Sequence, residues 1–598
     1  MARAKSCLVK KKKRVLPKWD LSDLYNGTDS LALESDLKRA RKSAFTFREK
    51  FSGKITNLSG NSLGIAISKY EQIDELLVRI LSYAQLVHSA NVTDPKISQF
   101  NQTIQETITE ISANLIFFAL EINKISNSKL KKNLAAPKLA YYKSWIENLR
   151  VFKAHQLGEG IERILSEKRV TGDTAWTRLF DDTIARVRFS VRGKEKTLEE
   201  ALSDLSDGNS EVRKLAAKAL GKGLKKNVHL FALITNTLIK DKEIETRWRK
   251  YKEPQSYRNL SNHLEDEVVA TLSSAVKTAY PDLSHRYYKL KARWFGKRRL
   301  DYWDRNAPFP DADTALISWD RAKTIVLDAY HEFSPELWAV GKIFFENSWI
   351  DAQPRPGKVA GAFSHPTVPS DHPYLLLNFM GRPRDVLTLA HELGHGIHQV
   401  LASSQGHLKA KTPLTIAETA SVFGEMLTFR KLFENQKDVV RRKTILAGKI
   451  EDMLNTVIRQ VAFYEFEIRI HNERRLGELS ADRISEIWMD IQSESLGPAI
   501  RFHDECKYFW TYIPHFIHTP FYVYAYAFGD CLVNSLYAVY EKGLEGFEDI
   551  YIQMLKAGGT LHHKDLLAPF GLDAEKPDFW SIGLGIIGNL IDELETID

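Results

Sequence analysis

The sequence predicts a mainly α-helical protein with one small β-sheet. Apolar side chains recur at steps of three and four residues, the period of a helix with one buried face. One example follows the Asp29-Ser30 pair and consists of Leu33, Leu37, Ala40, Ala44 and Phe47. Another precedes Pro281 and consists of Val269, Leu272, Val276 and Tyr280. The ranges 66–94, 97–124 and 195–225 have the same period and few glycines or prolines. We therefore expect long amphipathic helices there.

The range 350–382 is the exception, because it is rich in proline and glycine. Residues 373–380 are apolar and aromatic and predict a short strand, and residues 361–364 predict a second one. A small sheet at this place would offer an edge to which an extended peptide could hydrogen-bond. A purely structural ribbon is equally compatible with the pattern.

His391-Glu392-Leu393-Gly394-His395 is a His-Glu-x-x-His motif in a predicted helix that begins near Pro383 and ends at 403–406. Residues four apart lie about 40° apart around a helix and about 6 Å along it, so both imidazoles can bind one metal ion. Glu392 lies on the same side and can reach a water at that metal. Zinc is the usual occupant, with a third protein ligand and one open position. We expect one Zn²⁺ per chain.

The third ligand is expected downstream of the motif. A metzincin pattern would need His at position 401, which is Leu401. Thermolysin-like enzymes and the common zinc aminopeptidases would need Glu where this chain has Leu414 and Thr415. The first downstream carboxylate is Glu418, and Glu425 follows seven residues later, on the same face of a helix. We expect Glu418 to bind the metal and Glu425 to accept a hydrogen bond from a ligating histidine.

The motif and the residues after it resemble a known family. His-Glu-Leu-Gly-His-Gly-Ile-His, followed by Glu-Thr-Ala-Ser-x-x-x-Glu, is similar to the oligoendopeptidase F branch of the thimet-oligopeptidase-like zinc peptidases. The stretches 19–25, 300–305, 513–516 and 521–526 also match, so the resemblance covers nearly the whole chain. It implies two helical lobes around a deep substrate channel and a restriction to short peptides.

The same resemblance implies that a segment near the C-terminus faces the zinc across the channel. The matching positions are His515, His518, Tyr522 and Tyr526, with Tyr524 as a further candidate. Tyr522 and Tyr526 would share one helical face, whereas Tyr524 would point away. A run of aromatic core residues would look the same, and the choice between His515 and His518 stays open.

Charge and cysteine content limit the other classes of function. Seven of the eight net positive charges stand in the first fifteen residues, so the rest of the chain has a net charge of about +1. With so little net charge, we expect no nucleic-acid-binding surface. We also expect no membrane span, since no stretch has 18 consecutive apolar residues. Cys7, Cys506 and Cys531 form no disulfide framework, and the N-terminus lacks the apolar run of a signal peptide. A cytoplasmic protein is expected, either monomer or homodimer.

These observations predict a basic tail over 1–15, an N-terminal helical lobe over 16–200 and a catalytic domain over 201–598. The expected function is zinc-dependent hydrolysis of internal bonds in short peptides. Glu392 would take the proton of a metal-activated water, and Tyr522, Tyr526 and a histidine would stabilise the oxyanion. One alternative is a zinc exopeptidase, which needs a group that captures a free terminus. The other is a catalytically silent peptide-binding protein, which has no reason to keep Glu392.

Overall fold

A computed structural model describes residues 16–309 and 316–597, so the predicted basic tail and Cys7 lie outside the described residues. The prediction of a mainly α-helical fold is confirmed, because helices account for most of the described chain. The first part of the chain contains the helices α1 (Leu31–Phe51), α2 (Gly60–Ala90), α3 (Pro95–Ser112), α4 (Ile116–Lys124), α5 (Asn127–Asn133), α6 (Pro137–Ala140), α7 (Lys143–Arg150), α8 (Glu159–Lys168) and α9 (Asp173–Arg186).

The middle of the chain contains α10 (Leu198–Ser203), α11 (Ser210–Lys226), α12 (Val228–Trp248), α13 (Ser256–Ser261), α14 (Asp266–Thr278), α15 (Arg286–Trp294), α16 (Trp319–Phe333) and α17 (Pro335–Glu346). The last part contains α18 (Pro383–Ala402), α19 (His407–Ala410), α20 (Leu414–Ala417), α21 (Thr419–Glu434), α22 (Val439–Thr456), α23 (Ile458–Arg474), α24 (Ala481–Leu496), α25 (His515–His518), α26 (Tyr524–Glu541), α27 (Phe547–Lys556), α28 (His563–Leu567) and α29 (Pro577–Ile597). None of these described helices is both long and apolar enough to cross a lipid bilayer.

The helix predicted after Asp29-Ser30 corresponds to α1, and those predicted over 66–94 and 97–124 correspond to α2 and to α3 with α4. The range 195–225 corresponds to α10 with α11. One boundary differs from its prediction, because the chain does not leave the helical conformation at Pro281. A π-helical turn over Pro281–His285 follows α14 and leads directly into α15. Proline is tolerated there because its missing N–H falls at the first position of the new turn.

The strands are short: β1 (Phe189–Val191), β2 (Lys194–Lys196), β3 (Leu300–Asp301), β4 (Ile350–Asp351), β5 (Phe363–His365), β6 (Tyr374–Leu376) and β7 (Ile500–Arg501). The two strands predicted within 350–382 are β5 and β6, which pair antiparallel with Phe363 opposite Leu376. Strand β4 adds to the other side of β6 in parallel, giving the order β4-β6-β5. This sheet packs on α18, where the Ser364 hydroxyl donates to Gln399 Oε1 over 2.8 Å.

Buried apolar side chains form two separate cores. The smaller core takes nearly all its side chains from residues 24–146, and the larger one takes them from residues 180–594. The two meet at the small sheet, where Tyr374 belongs to the smaller core and its neighbour Leu375 to the larger. The His-Glu-x-x-His helix follows this sheet directly, so the motif lies next to the place where both cores meet.

Candidate metal centre and active site

Helix α18 carries the His-Glu-x-x-His motif, and a local cap fixes its start. Pro383 occupies the first helical turn, where its missing N–H costs nothing. The carboxylate of Asp385 accepts the N–H groups of Met380 and Arg382 over 2.8 and 3.0 Å. This cap sets the direction in which the following turns of α18 project their side chains.

Two glycines let neighbouring helices approach the motif closely. A Cβ atom on Gly394 of α18 would lie 2.6 Å from the Cα atom of Ser421 on α21. A Cβ atom on Gly529 of α26 would lie 2.9 Å from the Cβ atom of Glu418. Since any other residue would collide at both points, this packing brings Glu418 within reach of the histidines of α18.

His391, His395 and Glu418 place one ligand atom each within 4.8 Å of one another. Glu418 Oε2 lies 3.4 Å from His391 Nε2 and 3.3 Å from His395 Nε2. Two ligands at the usual zinc distance of about 2.0–2.1 Å on a tetrahedral ion are separated by roughly 3.3–3.4 Å. The three side chains therefore fit a zinc ion in both donor type and spacing.

The charges around these side chains also favour a cation. Burial lowers the pKa of His391, but the hydrogen bond to Glu425 and the charge of Glu418 outweigh it and raise that pKa to about 9. Burial opposes ionisation of Glu418 too, yet the bonds and charges of the two histidines hold its pKa well below the usual range. The Glu418 carboxylate is thus ionised. A bound metal ion would take over the positive charge that the histidines place beside this carboxylate.

Glu425 lies behind the ligands and contacts one of them. Its Oε2 atom lies 3.2 Å from Nδ1 of His391, and its Oε1 atom accepts Lys449 Nζ over 2.7 Å. Lys449 is itself buried, so the carboxylate links a buried ammonium to the imidazole. Such a partner fixes the orientation of a ligating imidazole. Sequence reasoning missed Lys449. The only signal in the sequence is that this lysine stands among the apolar residues Leu446, Ala447 and Ile450.

The helical position expected for Glu418 is corrected by the structure. The prediction placed Glu418 and Glu425 on one face of a single helix, but Glu418 lies at the junction between α20 and α21. Its φ of −75° and ψ of −3° remain near the helical region, so both carboxylates still face α18. Ser421 stabilises the junction, because its hydroxyl donates to Glu418 Oε2 over 2.8 Å.

Glu392 lies on α18 between the two histidines and is 7% exposed. Burial raises the pKa of its carboxyl, while the neighbouring histidines counteract this effect. A carboxyl whose pKa is raised toward neutrality can both accept and return a proton. Its place and its protonation behaviour therefore suit the role of a general base.

Tyr522 and Tyr526 lie together, although not on one helix as predicted. Helix α26 begins at Tyr524, and Tyr522 belongs to the preceding turn. The two rings nevertheless meet edge to face, with centroids 5.3 Å apart. Burial raises the pKa of both phenols, and the negative charge of Glu418 adds to this effect. Tyr524 points elsewhere, since its buried hydroxyl accepts Asn262 Nδ2 over 2.8 Å.

The structure separates the two histidines of this segment. His515 Nε2 lies 3.4 Å from the Tyr526 hydroxyl, and the ring of His515 is nearly parallel to that of Tyr522. His518 instead pairs with Asp181 over 2.8 Å on a more exposed surface. Only His515 therefore joins the tyrosine pair.

Comparisons with known proteins show the family to which the chain belongs. The model of peptidase family M3 matches residues 205–586, and the model named oligopeptidase F matches residues 121–189. The chain belongs to peptidase family M3. An M3 relative, the oligoendopeptidase F homolog of Lactococcus lactis subsp. lactis (strain IL1403), is 26% identical over 588 residues, which cover 97% of each chain. The resemblance to the oligoendopeptidase F branch is thus confirmed.

Solved structures share the fold of this M3 peptidase. A Chlamydophila abortus protein described as a candidate peptidase superposes with a TM-score of 0.85 at 22% identity and covers 98% of this chain and 99% of its own. Oligoendopeptidase-F from Enterococcus faecium gives a TM-score of 0.70 at 20% identity, with 95% and 99% covered. Both support the mainly helical architecture.

Another buried carboxyl positions the tyrosine segment of this M3 peptidase, and sequence reasoning missed it. Phe521 precedes Tyr522 and has a φ of +59°, which is unusual for a residue other than glycine. Its N–H donates to Oε1 of Glu467 over 2.8 Å. Glu467 is buried, and burial raises the pKa of its carboxyl to about 8. This contact holds the turn that brings Tyr522 to Tyr526.

A second group of potential metal ligands lies elsewhere in the M3 peptidase chain, at Glu265, His562 and His563. Lys564 Nζ already lies 3.5 Å from a carboxylate oxygen of Glu265. The group also lacks the His-Glu-x-x-His spacing. We therefore place the candidate active site at His391 and its neighbours.

Proposed function

We propose that this M3 peptidase is a zinc-dependent endopeptidase that hydrolyses internal bonds of short peptides. The convergence of His391, His395 and Glu418 at separations that suit tetrahedral zinc supports this proposal most directly. The buried Glu392 stands beside the same point. We assign the three converging side chains as ligands and Glu425 as the partner that orients His391.

Zinc bound there would polarise the scissile carbonyl and lower the pKa of a water molecule toward about 7. Glu392 accepts the proton of the attacking water and returns it to the leaving amine. Tyr522 and Tyr526 donate hydrogen bonds to the oxyanion that forms as the carbonyl carbon becomes tetrahedral. His515 holds the Tyr526 hydroxyl in place through their 3.4 Å contact.

An extended substrate has a strand edge available near the motif. Strand β5 is at the edge of the sheet order β4-β6-β5, and within the described residues it pairs only with β6. The outer N–H and C=O groups of β5 can bind a peptide backbone without regard to its side chains. Such binding suits a peptidase that accepts many short sequences.

Metal analysis combined with mass spectrometry of peptide digests tests this function. The purified protein should contain one zinc per chain and cut peptides of about ten residues at internal bonds. Glu392→Gln should keep its zinc but lose roughly 10²–10⁴-fold in turnover, because the amide cannot act as a base. Glu434→Gln, an exposed change on α21, is the matched control.

Three outcomes would contradict the proposal. Stepwise removal of terminal residues would indicate an exopeptidase instead. Peptide binding without cleavage would indicate a silent binding protein. Normal turnover in metal-loaded Glu392→Gln would remove Glu392 from the mechanism.

A further inference from the structure

A cavity of about 230 Å³ lies beside the tyrosine segment, between α23, α24 and the chain around residues 302–306 and 502–512. Aromatic side chains form much of its wall, including Trp303, Phe463 and Trp488. An apolar cavity of about 150 Å³ already holds a benzene ring, so this cavity has room for an aromatic side chain. A cavity of this size in a peptidase can take one side chain of a substrate.

Two arginines line this cavity without an ion-pair partner. Neither Arg305 nor Arg459 has an acidic partner within the described part of the chain. The guanidinium of Arg459 lies 5.0 Å from the centre of the Phe463 ring, and Arg305 Nε contacts only the side chain of its neighbour Asn306, over 3.4 Å. Burial lowers the pKa of Arg459, and the charge of Arg305 lowers it further. Two like charges that line one cavity without an anion are destabilising.

An unused amide donor faces the same cavity. The side chain of Gln492 is 7% exposed, and its Nε2 atom has no hydrogen-bond partner among the described residues. Buried amide groups are nearly always hydrogen-bonded in folded proteins. One unsatisfied buried donor and two arginines, with no carboxylate in the wall, indicate that an anionic ligand completes this cavity.

The cavity adjoins the candidate active site. Arg459 is close enough to His515 for its charge to add to burial in lowering the pKa of that imidazole. Phe463, one turn along α23 from Arg459, packs against Phe516 with ring centroids 5.5 Å apart. Because His515 contacts Tyr526, Arg459 lies next to the side chains that we assign to the oxyanion.

We propose that this cavity is a substrate subsite in which Arg305, Arg459 and Gln492 bind a carboxylate of the peptide. Arginine is suited to this role, because its planar fork binds a carboxylate through two parallel hydrogen bonds. The aromatic wall takes the apolar side chain next to that carboxylate. The carboxylate can come from the C-terminus of the peptide or from an acidic side chain. This inference rests on the proposed peptidase activity.

The test compares three versions of one peptide that the enzyme cleaves. The first has glutamine near a free C-terminus, the second has the same glutamine and a C-terminal amide, and the third is amidated with glutamate in place of the glutamine. Two changes to the peptide remove a carboxylate, namely amidation of its C-terminus and replacement of its glutamate by glutamine. One of them should lower the kcat/KM of the wild-type enzyme by about 10- to 100-fold, as expected for the loss of a charged hydrogen bond. Amidation identifies a C-terminal carboxylate as the ligand, and replacing the glutamate by glutamine identifies an acidic side chain.

Arg459→Gln and Arg305→Gln should lower kcat/KM for the carboxylate peptide by a similar factor, mainly through KM, and lower it far less for the amide peptide. The control is Arg469→Gln, since Arg469 lies on the same helix but pairs with Glu494 at the surface. Equal kcat/KM of the wild-type enzyme on all three peptides would overturn the subsite. So would arginine variants whose kcat/KM falls equally on the carboxylate peptide and the amide peptide. Cleavage of any of the peptides by zinc-loaded wild-type enzyme keeps this result separate from a failure of the proposed function.

Discussion

A Cβ atom on Gly394 would lie 2.4 Å from the carbonyl oxygen of Ala420. Gly394 stands between the two motif histidines, and Ala420 lies two residues after Glu418. The contact between their backbones therefore fixes how far the carboxylate ligand stands from the imidazoles. Gly394 of His-Glu-Leu-Gly-His thus shapes the candidate metal site through packing rather than chemistry.

Gly394→Ala should push α21 away from α18 and weaken zinc binding. Overpacking of a tight contact typically costs about 1–3 kcal/mol of stability, and the shift would also move Glu418 away from the ion. Zinc affinity measured by competition with a chelator, together with the thermal midpoint, checks both effects. Gly448→Ala is the control, because a Cβ atom there meets nothing within 4 Å. That change should be neutral or stabilising by about 0.4–1 kcal/mol.

The two glutamates that face the histidines should not be equivalent. Glu418→Ala removes a direct ligand and should empty or badly weaken the zinc site. Glu425→Ala leaves the ligand set intact and should weaken zinc binding by about 10–100-fold, because His391 loses the partner that orients it. Chelator competition at fixed pH measures both constants. A larger loss for Glu425→Ala than for Glu418→Ala would reverse the two assignments.

Removal of a phenol hydroxyl at Tyr522 or Tyr526 should slow turnover without weakening substrate binding. Loss of one oxyanion donor usually costs about 10²–10³-fold in kcat. Tyr522→Phe and Tyr526→Phe should therefore lower kcat far more than they raise KM. Tyr524→Phe is the internal control, since its hydroxyl bonds to Asn262 away from the site. If Tyr524→Phe alone reduced kcat, the role would pass to that residue.

Glu467 should make stability depend on pH. Burial raises the pKa of its carboxyl to about 8, although the Phe521 N–H, Lys242 and Arg258 counteract burial. The folded protein thus holds a proton that the unfolded chain, with an ordinary pKa of 4.5, has already released. The free energy of unfolding due to this group therefore falls as pH rises from about 5 to 8, by up to about 1.4 kcal/mol per pH unit.

Glu467→Gln removes this titration but keeps an oxygen that can accept the Phe521 N–H. The thermal midpoint of the wild type should therefore fall relative to that of Glu467→Gln between pH 5.5 and 7.5. Scanning both proteins side by side at each pH measures this difference. A difference that stays constant over the range would mean that Glu467 does not hold the extra proton.

Local patterns predicted the parts of the site that lie close together in sequence. The extent of α18, the positions of β5 and β6 and the spacing of His391 and His395 all follow from turn residues and periodicity within about twenty residues. Glu418 was predicted as a ligand by eliminating other ligand spacings, and the structure places it at a helix junction rather than within one helix.

The remaining features depend on contacts between distant segments. Lys449 reaches Glu425 from the next helix along the chain, and Glu467 supports Phe521 from 54 residues earlier. Arg305 and Arg459 share a cavity although 154 positions separate them. No periodicity within one segment carries such information, because each charge is buried only after the helices have packed.

Strand β6 presents consecutive residues to different hydrophobic cores, with Tyr374 in the smaller one and Leu375 in the larger. Side chains on a strand alternate between its two faces, so one short ribbon serves as an inner wall for both halves of the molecule. Cutting the gene between the halves would leave Tyr374 without its neighbours from α1 to α7. A fragment without α1 to α7 should therefore expose an apolar surface around Tyr374, and we expect the two parts to fold together as one unit.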